Sequence, residues 1–347
     1  MVKRIDWIDT AKGLGIFLVV LGHIPLATEY SKYFYMFHMP LFFFLSGLVF
    51  KRDKFHGFSQ FIKNRSKSLL LPYLIFSLAT YLFWLILGRH FGNDASVDIN
   101  VLKPLIGTFY SVGTDGWLVH NVPLWFLTCL FLVESMFYWI ASLKRKMIWV
   151  ILGIASVVGY VISNSLHIRI FWSFDIALVA TVFYGVGYLL KDQIFKFFGE
   201  KPNILIFIFL GLVGVLIANL NGYVDMNGNT YGNYFYYFIG GIVGISFCLT
   251  ISKYFERVKI INFLGKNSLI IMALHNIALS FIKAILVFGF SFSLDGVGNS
   301  LFWSVSIAIA VMVALIPAIL FINKFMPFIL GKSGLVKKGK LINQKVS

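Results

Sequence analysis

Long apolar runs separated by short polar clusters set the pattern of the chain. Ten runs approach the roughly 20 residues needed to cross a bilayer. They lie near residues 12–28, 33–50, 68–88, 122–142, 147–166, 170–190, 203–220, 233–252, 267–289 and 300–326. Lipid offers a backbone amide no hydrogen-bond partner, so each run is predicted to be a helix. The 38 Phe residues and the many Ile and Val are strand-like in type. Runs this long, without period-2 alternation, nevertheless do not fit a β-barrel. The expected fold is an all-α polytopic membrane protein with about ten transmembrane helices, one integral-membrane unit over 1–347. Lys3 and Arg4 before the apolar stretch Leu14–Leu21 imitate a secretory signal. No small-residue cleavage site follows, so the stretch is read as a retained first span.

Composition agrees with the pattern. Of 347 residues, 59% are hydrophobic and 13% charged, and the mean hydropathy is +0.84. Soluble domains carry about 25% charged residues. There is too little polar surface here to wrap a water-soluble globule, which excludes a soluble enzyme, a nucleic-acid module and a disordered regulator. Cys129 and Cys248 both lie in apolar runs and offer neither metal-ligand spacing nor a disulfide framework.

The net charge of +16 suggests nucleic acid until its placement is considered. With the N-terminus inside, 25 of the 30 Lys and Arg residues fall in loops on the cytoplasmic side. That is the asymmetry expected of an oriented multi-pass protein, and it predicts that both termini are cytoplasmic. Residues 51–67 are expected to form a basic cytoplasmic loop, and 89–121 the longest outer loop.

Ionisable groups inside a bilayer are costly and are functional candidates by default. His23 follows Lys12 by eleven residues, roughly 16 Å along a helix. Lys12 can therefore sit toward the inner face and His23 in the outer half of the same span. His38, just before Pro40, lies at similar depth on the next span, so the two imidazoles can share one cavity. Glu134 falls near mid-bilayer, where a carboxylate must be protonated or paired; it can orient a histidine or form a structural pair. His275 is also near mid-span, and Asp175 and Lys283 are placed to snorkel. Lys63, Arg65 and Lys67 alternate just before an apolar span. Such a cluster suits phosphate recognition, or orientation and anionic lipid alone. Trp125 in PLWFL is a membrane-interface anchor or a platform for a sugar ring.

Several strings together resemble the acyltransferase-3 family: Lys12-x10-His23, FHMPLFFFLSG at 37–47, the basic segment ending in Pro72-Tyr73, LWFL at 124–127 followed by Glu134, and LGKNSLIIMALHN at 264–276. The closest flavour is the branch of fucose-4-O-acetylase-like and cell-surface polysaccharide O-acetyltransferases, in stand-alone form. The resemblance implies membrane O-acyltransferases that take an acyl group, usually acetyl, from cytoplasmic acyl-CoA to extracytoplasmic sugars. Carried over residue by residue, the first-span basic-x10-His pattern falls on Lys12 and His23, with Lys where Arg is commoner. The cytoplasmic arginine motif falls on Arg65. A second Arg expected before the proline is replaced by Ser68 or Leu69, and Lys67 can supply that charge.

On this reading Lys12, Lys63, Arg65 and Lys67 bind acetyl-CoA. His23 is the general base, and His38 or Glu134 orients it or relays its proton. Direct transfer is favoured over an acetyl-histidine intermediate. The expected partners are acyl-CoA, a carbohydrate acceptor and membrane lipid, with no metal and no nucleic acid. A transporter or glycan flippase is the competing class.

Overall fold

The computed structural model describes residues 5–91, 99–200, 202–294 and 296–332. Lys3, Arg4, Lys201 and the basic residues Lys337, Lys338, Lys340 and Lys345 lie outside the described residues. Sixteen α-helices are present among the described residues. They are α1 (Asp6–Gly22), α2 (Thr28–Tyr35), α3 (His38–Val49), α4 (Phe58–Arg65), α5 (Leu71–Ile86), α6 (Leu102–Tyr110), α7 (Trp125–Ile140) and α8 (Arg145–Val161). There follow α9 (Phe174–Leu189), α10 (Lys191–Phe197), α11 (Ile204–Leu220), α12 (Tyr234–Tyr254), α13 (Lys259–Lys266), α14 (Ser268–Ala284), α15 (Leu301–Ala314) and α16 (Ile316–Phe325).

Each of the ten predicted runs contains a helix. Among the described residues, seven helical stretches are long and apolar enough to cross a membrane, from Phe58–His90 to Leu301–Phe325, and α11 is a shorter apolar helix. The outward faces fit lipid: Leu205, Phe209, Leu212 and Leu216 of α11 are all exposed. The chain is a multi-pass helical membrane protein.

The structure moves several boundaries. The helix in the first run starts at Asp6, not near residue 12, and ends at Gly22. Its opening turn looks polar because it carries Asp6 and Asp9, charges that favour the positive end of a helix dipole. The second run is broken between α2 and α3, and His38 opens the second piece. Residues 51–67 do not form a loop throughout. From Phe58 the chain is helical, and α4 passes through a π-helical turn at Ser66–Leu70 directly into α5. Three cations close together masked that continuation.

Segment 99–121 is more than an outer loop. It contains α6, and Thr108, Ser111, Val112, Leu118, His120 and Asn121 are buried. Asp175 does not snorkel; it is fully buried.

α1 is the hub of the bundle, in contact with α2, α3, α12, α13, α14 and α15. Two close crossings rest on glycine. A methyl group at Gly13 would overlap the Ile261 carbonyl, and one at Gly265 the Asp9 carbonyl, which locks α13 against the first half of α1. α3 and α9 cross in the same way, with Gly47 against Tyr184 and Gly187 against Phe44. Small residues let membrane helices approach where no hydrophobic driving force separates lipid from protein.

A candidate active site along the first helix

A cavity of about 360 Å³ follows α1 from Lys12 through Ile16 and Val19 to His23. Its other walls include Ser46 and His38 of α3, Leu69 of the π turn, Trp125 of α7, and Tyr223 and Asp225 of the 221–233 loop. The spacing from Lys12 to His23 gives this wall a length of roughly 16 Å. One end is therefore marked by a cation next to the basic π turn, and the other by a phenol and a carboxylate.

His23 is the C-terminal cap of α1. Its ring is surrounded by protein yet accessible from the cavity it lines. His23 Nδ1 lies 2.8 Å from the Val19 carbonyl oxygen. A carbonyl can only accept, so in this contact Nδ1 carries the proton, and the neutral ring presents an unprotonated Nε2. His38 repeats the device, with Nδ1 donating to the Phe34 carbonyl at 2.9 Å across the α2–α3 break. The same carbonyl also accepts the Phe37 amide at 3.0 Å, so it takes two donors at the end of α2. Tyr35 donates to the Gly22 carbonyl at 2.8 Å, closing the end of α1 beside His23. The rings of Tyr35 and His38 are 5.0 Å apart.

His275, from α14, stands behind His23 with ring centroids 4.8 Å apart and an edge-to-face angle of 75°. Its Nδ1 donates to the Met272 carbonyl at 2.9 Å, and its buried Nε2 has no hydrogen-bond partner. Three imidazoles thus converge here, each with Nδ1 committed to its own backbone.

The basic candidates divide. Lys12 lines the cavity, whereas Lys63 and Lys67 are exposed and do not line it. Arg65 turns inward: its Nε is 2.8 Å from Glu134 Oε2, with Glu134 only 3% exposed and Arg65 28%. The Lys12 ammonium acts on the same carboxylate across the bundle. Glu134 is therefore placed among cations at the basic end, away from the three histidines.

Several contributors were not singled out in the sequence. Tyr223 and Asp225 come from a stretch (NGYVDMNGNTYGN) whose Asn and Gly content reads only as a turn. Partial burial, reinforced by the Asp225 carboxylate, raises the Tyr223 phenol above its usual range, so it remains a hydrogen-bond donor.

His120 anchors a second polar layer. Its Nε2 is 2.9 Å from Ser77 Oγ, Ser77 meets Thr108 at 3.0 Å, and Asn121 donates to the Ala273 carbonyl at 2.8 Å. Burial lowers the His120 imidazole to about 4. This layer docks segment 99–121 on α5 and α14 and fixes the entry to Trp125. At the end away from the basic turn, Arg169 Nε pairs with Asp175 Oδ2 at 2.8 Å.

Comparison with known proteins places this geometry. The chain is 28% identical over 164 residues to nodulation protein NolL of Mesorhizobium japonicum, covering 44% of this chain and 40% of that protein. It is 32% identical over 114 residues to nodulation protein NolL of Sinorhizobium fredii, covering 29% and 31%. The chain spans less than half the length of the curated relatives it matches. No solved structure matches significantly. A family model described as an acyltransferase domain matches residues 5–321, a range that takes in Lys12, His23, His38, Arg65, Glu134 and His275. The chain belongs to the acyltransferase-3 family.

Proposed function

We propose that the chain is a membrane O-acyltransferase. It moves an acetyl group from cytoplasmic acetyl-CoA to a hydroxyl of an extracytoplasmic or lipid-linked glycan, with both termini and the basic end on the cytoplasmic side. One observation carries the reading: a single cavity has a cation at one end, a histidine with a free Nε2 along its wall, and hydrogen-bonding groups at the other end. Acyl-CoA brings phosphates and a thin thioester arm. A sugar brings hydroxyls and needs a base.

Lys12, Lys63, Arg65 and Lys67 take the phosphates through charge-assisted hydrogen bonds. Glu134 holds the Arg65 guanidinium at the inner end of that cluster. The acyl arm enters past Leu69 and Lys12 toward His23. The acceptor hydroxyl comes from the side of Tyr223 and Asp225, with Trp125 as an apolar wall. Its oxygen attacks the thioester carbonyl while His23 Nε2 takes the hydroxyl proton. The C–S bond then breaks, an ester forms, and the departing CoA thiolate recovers the proton from His23. His38, at the same cavity, supplies a second imidazole that orients the acceptor or relays the proton.

Positioned general bases contribute about 10²–10⁴-fold. His23→Ala should therefore lower transfer from radiolabelled acetyl-CoA by at least about 10²-fold at unchanged protein level in the membrane. Near-normal transfer by that variant would remove His23 from the reaction.

A further inference from the structure

A second cavity, of about 280 Å³, lies on the other side of the 221–233 loop. Asn164, His167, Arg169, Thr230, Tyr231 and Tyr234 line it. Consecutive residues of one loop divide between the two cavities. Tyr223, Asp225, Met226 and Asn227 face the catalytic cavity, and Gly228 to Gly232 face the second one. The divide is a tight hairpin in which Asp225 and Thr230 exchange two backbone hydrogen bonds, at 2.9 and 3.0 Å. Paired backbones of this kind are roughly 5 Å apart, so only one hairpin separates the recess from the catalytic cavity.

The chemistry of the recess is specific. Arg169 spends Nε on Asp175 at 2.8 Å and Nη1 on Thr114 at 2.9 Å. Its Nη2 is buried with no hydrogen-bond partner. Asp175, fully buried beside it, already balances the charge. What remains is a strong donor without net charge, set among amide and hydroxyl groups and two tyrosines. An anion would find no uncompensated positive charge here. A polyhydroxylated neutral ring finds both donors and acceptors, with aromatic faces alongside. Two lining residues, His167 (φ 50°) and Asn229 (φ 55°), hold left-handed backbone, a conformation that tends to cluster at ligand sites.

We propose that this recess binds an uncharged sugar residue of the acceptor, adjacent to the residue being acylated. The 221–233 hairpin would act as the saddle between the two. The proposal rests on the glycan-acyltransferase reading above and deepens it: the acceptor is at least a disaccharide, held by two neighbouring subsites.

Asn164 and Thr230 sit on exposed rims of the recess, from opposite walls, so a bulky side chain at either fills it without removing a buried bond. Cells lacking the gene would be complemented with the full chain as wild type, Asn164→Trp, Thr230→Trp or the control Leu166→Trp, which is exposed nearby but does not line the recess. Two quantities are measured: ester-linked acyl groups on the cell-envelope glycan, and binding of coenzyme A to the purified protein.

The expected result is a fall in glycan acylation of about tenfold or more, a loss of roughly 1.4 kcal/mol, in both recess variants. Coenzyme A binding and the Leu166→Trp control should stay at wild-type level. Full acylation in the recess variants overturns the proposal. So does an equal loss of coenzyme A binding, which would assign these residues to the donor half or to folding. If the wild-type gene itself adds no acyl groups to glycan, the acceptor class fails and the recess assignment with it. If glycan acylation depends on the gene but survives His23→Ala, the reading of His23 fails while the recess stands or falls on its own variants.

Discussion

Two arginine–carboxylate pairs, one toward each end of the bundle, show how the same chemistry serves different ends. Arg169 and Asp175 are 2.8 Å apart, with side chains 15% and 0% exposed. Asp175 also accepts from the Ile170 amide at 3.2 Å, and Arg169 also donates to Thr114. The carboxylate is held by two directed bonds, and the pair staples the start of α9 to segment 99–121.

Arg65 and Glu134 are equally close, but the contact is not aligned as a hydrogen bond, and both atoms lack any other partner. Arg65 also keeps a path to solvent and a position over Phe61. In the first pair both carboxylate oxygens are bonded and only Arg169 Nη2 is left over, whereas in the second the contacting atoms on both partners have no aligned bond, at the end of the protein where a phosphate donor is proposed to arrive. Burial of charge is costly in both cases; the difference lies in how completely hydrogen bonds offset it.

The comparison can be broken by mutation. Asp175→Asn should have the largest effect on folding, because it leaves Arg169 largely buried without its counter-charge. Loss of one partner of a buried pair costs about 3–5 kcal/mol, read as a large fall in the thermal midpoint of the detergent-solubilised protein. Glu134→Gln should cost clearly less, about 1–2 kcal/mol, since Arg65 can reach solvent; equal destabilisation by the two variants would erase the distinction.

Arg65→Gln should raise the KM for acetyl-CoA by about tenfold or more, from the loss of one charged hydrogen bond, with acceptor KM unchanged. Unaltered donor kinetics would assign Arg65 to the fold. Lys63→Gln and Lys67→Gln, on exposed side chains, should change donor KM only about two- to fivefold, and less in high salt.

The last effect is read as a pH dependence. His120 is held down to about 4 from an ordinary 6.5, so the unfolded chain binds more protons between those values. The stabilisation is complete above about 6.5 and drains away as pH falls toward 4. His120→Gln should flatten that part of the stability–pH curve, and an unchanged curve would show that another group governs it.

Much of this architecture is legible without coordinates. Each predicted apolar run contains a helix because a lipid-facing backbone has to satisfy itself internally. The Lys12–His23 spacing survives intact, since both residues lie along one helix and helical geometry fixes their separation. His38 was placed near His23 by a short connection between apolar runs.

Boundaries failed where charge and apolar pattern conflict. Asp6 and Asp9 hid the start of α1, and Lys63, Arg65 and Lys67 hid the helix running from Phe58 into α5. The partner of Glu134 could not be read either. Arg65 lies far away in sequence, and a carboxylate at mid-span is equally compatible with a histidine.

The sequence by itself determined that this is a helical membrane protein, roughly where each helix runs, and that cations and histidines lie at chosen depths along single helices. Those properties depend on transfer free energy and on one repeating backbone geometry, both local. Only the tertiary structure decided which groups meet: Glu134 with Arg65, His275 behind His23, and the 221–233 hairpin between two cavities. Such meetings depend on how distant helices pack, through glycine contacts such as Gly13 and Gly265, and no local pattern encodes that geometry.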